Sequence, residues 1–192
     1  RSMYRDFHDI AGCRVGILGM GHVGRRVAKL FRGVGAVVWI YDPYLSPAEA
    51  AALGVEKVEL DQLLQECRVI SVHLPSTEET RHMLGVRELS LIQDGAVFVN
   101  TARAWPVDQE ALRAELATGR FWAALDVFDV EPLPTDDPLR RMDNVLLTPH
   151  VGALSQEAYS NLVADMVDEV ERCLAGQPLR FPVTRDMLAT MA

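Results

Sequence analysis

The chain has 192 residues, 49% of them hydrophobic and 24% charged, which supplies one substantial core and excludes a disordered chain. A net charge of -8, with arginines scattered among acids, excludes nucleic acid as an expected partner. No apolar run approaches the roughly 18 residues of a membrane span, the first residues lack a secretory pattern, and Cys13, Cys67 and Cys173 have neither disulfide-frame nor zinc spacing. A cytoplasmic protein with reduced thiols, no bound metal and no membrane partner is expected.

Short apolar runs alternate with helical patterns along the chain. "CRVGIL" reads as the first strand and is followed by "GMGHVG", a glycine turn. A helix is then expected, since Val23, Val27, Leu30, Phe31 and Val34 form one apolar stripe and Gly35 stops it. "AVVWIY" is the second strand and ends at Asp42. In "SPAEAAALG", Ser46 caps a short helix, Pro47 takes its first position, Glu49 closes a capping box and Gly54 terminates it. "DQLLQEC" is a further helix, "RVISVHL" the third strand, "VRELSLIQ" a helix, "AVFVNT" the fourth strand and "VDQEALRAELATG" a helix.

"FWAALDVF" reads as the fifth strand and "NVLLTP" as the sixth, joined by the long proline-rich and acidic loop "DVEPLPTDDPLRRMD". A helix then starts near Leu154 or Ser155, with Leu162, Val163, Met166, Val167, Val170 and Leu174 on one face, and ends at Gly176 and Pro178. The tail "RFPVTRDMLATMA" has no assigned strand partner. Apolar strands alternating with helices predict an α/β fold: a doubly wound parallel sheet of about six strands, of the Rossmann type, with right-handed crossovers. Residues 1–154 form the expected Rossmann domain, and 155–192 a long helix and tail.

Gly19, Gly21 and Gly24 form GxGxxG between strand and helix. Gly19 permits the turn, Gly21 lets backbone approach a pyrophosphate, and Gly24 lets the helix press on the sheet. The amides around His22 and Val23 then face the anion at a helix N-terminus. Asp42, about 20 residues on, can accept from the adenosine ribose hydroxyls. A 2′-phosphate would meet like charge there, so NAD is expected over NADP. Ligands of such sheets sit beyond the carboxyl ends of the strands. That rim collects His73 and Pro75 after the third strand, Thr101 and Arg103 after the fourth, Asp126 and Glu131 after the fifth, and His150 after the sixth. Hydride exchange at a carbon bearing oxygen needs a proton donor and a cation. Histidine titrates near neutrality and a carboxylate fixes its tautomer, which suits His150 with Glu131. A guanidinium fork matches a carboxylate, which suits Arg103 to a 2-oxo or 2-hydroxy acid. Asp126 stands where it can hydrogen-bond the nicotinamide carboxamide.

These motifs, in this order, resemble the D-isomer-specific 2-hydroxyacid dehydrogenase family: "GILGMGHVG", "VHLPSTEETRHML", "GAVFVNTAR", "ALDVFDVEPLP" and "NVLLTPHVGA". The resemblance implies Arg103 as the substrate-binding arginine, His150 as acid/base and Glu131 as its partner. It adds Leu74, Thr80, Ala102 and Gly152 to the expected NAD contacts, and implies a small 2-hydroxy or 2-oxo acid substrate and a homodimer through the nucleotide-binding domain. "RAWP" departs from the family, which usually has glycine after the arginine, and so do Ala153, Leu154 and Ser155 after the histidine. Family members carry most of a substrate domain ahead of the first Rossmann strand; that segment is absent from this sequence, so the chain by itself is expected to bind NAD and turn over poorly. Two rivals share part of the pattern. An NAD(H)-sensing interaction module, similar to the C-terminal binding protein corepressors, shares the fold and much of the catalytic set, whereas an adenosylmethionine-dependent methyltransferase shares only the glycine loop and acidic strand end.

Overall fold

The predicted strands join a single parallel sheet. In the computed structural model, which describes residues 8–185 and 187, β1 (Arg14–Leu18) leads through α1 (His22–Gly33) to β2 (Val37–Tyr41), and through α2 (Pro47–Ala52) to β3 (Glu56–Lys57). There follow α3 (Leu60–Glu66), β4 (Val69–Val72), α4 (Val86–Ser90), β5 (Val97–Asn100), α5 (Gln109–Ala117), β6 (Trp122–Leu125), β7 (Val145–Leu147) and α6 (Gln156–Leu174). The strand order is β3-β2-β1-β4-β5-β6-β7, and all pairs are parallel. The chain therefore reverses direction across the sheet between β1 and β4, the switch point that opens a crevice at the strands' carboxyl ends.

Alternate residues along β1 and β2 enter two cores on opposite faces. Val15, Ile17, Val38 and Ile40 join Ala28 and Ala50 of α1 and α2. Leu18 and Trp39 join Leu63, Leu89, Leu112 and Phe98 on the other face. Burial on both faces explains why these strands are apolar nearly throughout. Gly16 lies under α3, where a Cβ would stand 2.4 Å from the Leu63 Cδ2. All three cysteines are free, and burial pushes the Cys67 thiol up to about 12.

Several expectations need correction. The sheet has a seventh strand, β3, an edge of two polar residues pairing with Trp39 and Ile40, too short and too polar to register as an apolar run. On α1 the packed line is not the whole predicted stripe. Gly24 and Ala28 are the buried residues, Val27 and Phe31 pack partly, and Val23, Leu30 and Val34 are exposed. Small residues four apart let the helix axis approach the sheet closely, and this moves the contact line off the larger side chains.

The capping box at Ser46 and Glu49 forms as expected. Ser155 caps α6, its Oγ accepting from the Ala158 N–H at 3.0 Å. No residue of α6 is buried. Arg180, in the tail, pairs with Asp165 and Asp168 of α6; the end of the tail, residues 186 and 188–192, lies outside the described residues, as do residues 1–7 of the expected first domain.

Candidate active site

At the first strand's end, Gly19 has φ +93°, and a Cβ there would stand 2.7 Å from the His73 carbonyl oxygen. A Cβ on Gly24 would stand 2.2 Å from the Gly19 carbonyl oxygen. Backbone closes both positions to any side chain. Gly21 differs, because nothing lies within 4 Å of where its Cβ would be. It is the N-cap of α1, whose first turn carries no acidic residue and no side-chain cap. The first-turn N–H groups, those of His22 and Val23 among them, thus face open space at the positive end of the helix. This cradle fits a pyrophosphate.

Asp42 sits beside it. Its Oδ2 accepts from the Met20 N–H at 2.7 Å and its Oδ1 from the Tyr44 N–H at 2.8 Å. A carboxylate has about four acceptor sites, so lone pairs remain for ribose hydroxyls. The His73 N–H donates to the Leu18 carbonyl at 2.7 Å, which carries the strand edge past β4. Burial holds the His73 imidazole down at about 4, so the ring, 2.9 Å from the Ser71 Oγ, is neutral at pH 7. Leu74 is buried in the core, and the Thr80 hydroxyl donates to the Pro75 carbonyl at 2.6 Å, fixing the loop between them. Tyr44 and Glu79 hydrogen-bond between the loops after β2 and β4.

After β5, the turn that carries Arg103 is held by a residue the sequence did not single out. Asn100 is 1% exposed; its Nδ2 donates to the Arg103 carbonyl at 2.8 Å and its Oδ1 accepts from the Ala102 N–H at 3.1 Å. Thr101 and Arg103, which follow it, are exposed. Trp105 is pinned by its Nε1–H to the Thr77 carbonyl at 3.0 Å and by the Arg81 guanidinium 5.0 Å from its ring centroid.

After β6 and β7, His150 Nδ1 stands 2.7 Å from Glu131 Oε2. An ionised carboxylate only accepts, so Nδ1 carries the proton and Nε2 is the nitrogen left for a substrate. Glu131 Oε1 also accepts from the Phe128 N–H at 2.9 Å. The bond from His150, then that from Phe128, holds the Glu131 carboxyl below its ordinary range against the smaller opposing effect of burial.

His150 has φ +55°, a left-handed conformation that non-glycine residues rarely adopt. The Asp126 carboxylate holds the residues on both sides of His150. Oδ1 accepts from the Thr148 Oγ at 2.5 Å and from the Val151 N–H at 2.9 Å, and Oδ2 from the Gly152 N–H at 2.9 Å. A Cβ on Gly152 would stand 2.9 Å from that Oδ2. The partner expected of Asp126 is the nicotinamide carboxamide; in the structure its oxygens also hold the loop that carries His150. Nothing about Thr148 in the sequence distinguished it from any other strand-end threonine.

Arg103, Glu131 and His150 line one cavity of about 490 Å³, together with Trp105, Phe128 and Gln109. A guanidinium, a carboxylate and an imidazole converging in this way can anchor an anion and exchange a proton beside it. Gln109 is a second residue that the sequence reading passed over. Among the described residues, no cluster of histidine, cysteine or acidic side chains suits a metal ion, and no helix is long and apolar enough to cross a membrane.

Comparison with known proteins bears on this arrangement. The family model for "D-isomer specific 2-hydroxyacid dehydrogenase, NAD binding domain" matches residues 2–152. The chain is 43% identical over 170 residues to a D-3-phosphoglycerate dehydrogenase of Mycobacterium bovis, covering 88% of this chain and 32% of that protein. It is 43% identical over 165 residues to a glyoxylate reductase of Korarchaeum cryptofilum, covering 84% of this chain and 49% of that protein. A crystal structure of a D-isomer specific 2-hydroxyacid dehydrogenase from Xanthobacter autotrophicus, in complex with NADPH and MES, superposes with a TM-score of 0.79 at 35% identity, covering 92% of this chain and 73% of that one. The chain thus spans a third to a half of the length of these curated relatives.

Proposed function

Because the chain belongs to the D-isomer-specific 2-hydroxyacid dehydrogenase family, of which it carries the NAD-binding domain, we propose that it interconverts a D-2-hydroxy acid and its 2-oxo acid. The observation that carries this reading is the single cavity lined by Arg103, Glu131 and His150. Bound NAD supplies the hydride acceptor, or in reverse the hydride donor. The backbone of Gly19, Gly21, His22, Val23 and Gly24 would hold its pyrophosphate and Asp42 its adenosine ribose. Leu74, Pro75, Thr101, Ala102 and Gly152 would meet it along the strand ends, with His73 and Thr80 shaping that edge.

The guanidinium of Arg103 forks onto the substrate carboxylate and directs an N–H at the reacting oxygen. In the reducing direction the carbonyl carbon gains a hydride while His150 gives the proton on Nε2 to the carbonyl oxygen, leaving an alcohol and a neutral imidazole. In the oxidising direction the same nitrogen takes the hydroxyl proton back. Glu131, bonded to Nδ1, stabilises the charged ring and keeps it aimed. Asp126 acts one step behind, through the loop. The same reading carries residues 1–154 as the NAD-binding unit of a cytoplasmic homodimer.

The test is an assay of the protein at its full natural length, following NADH absorbance with glyoxylate, hydroxypyruvate, pyruvate and a bulkier 2-oxo acid. Turnover of at least one is expected, and His150→Gln lowers kcat by about 10²- to 10⁴-fold while NADH still binds. No turnover with any of these acids overturns the reading; peptide binding that tracks NADH without turnover replaces it with the interaction module.

A further inference from the structure

Trp105 belongs by its backbone to the loop after β5, two residues beyond Arg103, yet its side chain is held by the loop after β4. The indole Nε1–H donates to the Thr77 carbonyl at 3.0 Å, and the Arg81 guanidinium covers the ring at 5.0 Å from its centroid. Backbone joins the same two loops further along, the His82 N–H donating to the Trp105 carbonyl and the Leu84 N–H to the Pro106 carbonyl, each at 3.0 Å. Those backbone bonds require no particular side chain at position 105. The indole bond and the covered ring require a tryptophan, and it stands in the "RAWP" segment, where the family usually has glycine. The ring is exposed and lines the cavity beside Arg103, so burial alone does not account for it.

The indole bond lands on the turn proposed to meet NAD. The Thr77 carbonyl also accepts from the Thr80 N–H at 3.1 Å, the Thr77 N–H donates to the Thr80 Oγ1 at 3.0 Å, and that hydroxyl donates to the Pro75 carbonyl. Residues 75–80 are thus one closed turn. On the other side, Asn100 holds the Arg103 turn from within, and the exposed guanidinium donates to the neighbouring Ala102 carbonyl at 2.7 Å. We propose that Trp105 is a positioning residue: NAD seated against Pro75 and Thr80 fixes the Thr77 carbonyl, and the indole passes that order to the Arg103 turn, so that the guanidinium takes the 2-oxo acid carboxylate more tightly once NAD is bound. A loop already ordered by the first ligand costs the second less. This rests on the dehydrogenase reading of the same cavity and adds to it a link between the two ligands.

The quantity to measure is the ratio of two affinities. With the full-length protein, calorimetric titration of oxamate, an unreactive analogue of a 2-oxo acid, gives a Kd at least about tenfold lower in saturating NADH than without it. Trp105→Phe, which keeps a ring and loses the donor, lowers that ratio about three- to tenfold while the Kd of NADH measured alone is unchanged. Arg81→Gln removes an exposed side chain at no cost to the fold, frees one face of the indole, and lowers the ratio about two- to fivefold. A ratio near one in the unaltered protein overturns the inference without recourse to any variant. So does an unchanged ratio in either variant, including the case in which oxamate binds more weakly with and without NADH alike, the signature of a merely structural side chain. A protein that turns over 2-oxo acids with any of those results loses this inference alone, and one that reduces none loses the dehydrogenase reading with it.

Discussion

The carboxylate of Asp126, 2% exposed, accepts hydrogen bonds from Thr148, Val151 and Gly152. Burial by itself would favour the neutral acid, but those bonds, Thr148 first and the two backbone N–H groups after it, outweigh burial and hold the Asp126 carboxyl below the ordinary aspartate range. The folded state therefore binds this proton less readily than the unfolded chain does. The resulting stability is complete above the unfolded aspartate value, near pH 4, and is lost as pH falls through the lower folded value. Asp126→Asn replaces one acceptor by a donor facing N–H groups, and is expected to cost about 1–3 kcal/mol at neutral pH. The difference between the two proteins should shrink as unfolding is measured at successively lower pH. A constant difference down to pH 2 would mean that the charge plays no part. Activity should fall too, since the left-handed turn at His150 depends on the same bonds.

The strand–turn–helix element at the start of the chain separates stability from binding at two positions three residues apart. Gly24→Ala puts a methyl group against the Gly19 carbonyl oxygen, which belongs to backbone and cannot yield, whereas Gly21→Ala puts it into open space with φ −66°, a value any residue adopts. Gly24→Ala is expected to lower Tm clearly. Gly21→Ala should keep Tm within about 2 °C, as for a surface change, and weaken NADH binding at least tenfold by filling the approach to the helix N-terminus. Calorimetry and NADH fluorescence titration on the two variants read both effects, and unimpaired NADH binding by Gly21→Ala would remove the pyrophosphate from this turn. At this scale the sequence was informative wherever local chemistry decides the outcome. The glycine turn, the capping box at Ser46 and the cap at Ser155 are written in consecutive residues, and the longer strands in short apolar runs. What escaped was settled by distant contacts: β3 exists only because β2 offers an edge, the packed line of α1 follows its small residues, and Asn100 and Gln109 are polar side chains whose burial depends on where other segments lie.

For the molecule as a whole, the buried core ends before the last helix. Among the described residues, no buried hydrophobic side chain lies beyond Leu139. The apolar side of α6, from Leu162 to Leu174, is exposed along its length, and the Arg180 pairs with Asp165 and Asp168 tie the tail to α6 itself. Exposed ion pairs of that kind contribute little. A boundary at residue 154 follows as a physical proposition. The sheet and its two cores should fold without residues 155–192, because neither core includes a side chain of α6 and the loop from Thr148 to Gly152 that Asp126 holds is retained. A chain ending at Leu154 is expected to unfold in one cooperative transition with Tm within about 4 °C of the longer chain, and to bind NADH with similar affinity, since the glycine turn and Asp42 lie wholly within the part retained. Its self-association at high concentration should be weaker, the exposed stripe being gone. Loss of the cooperative transition would place α6 inside the nucleotide-binding unit and move the boundary beyond it.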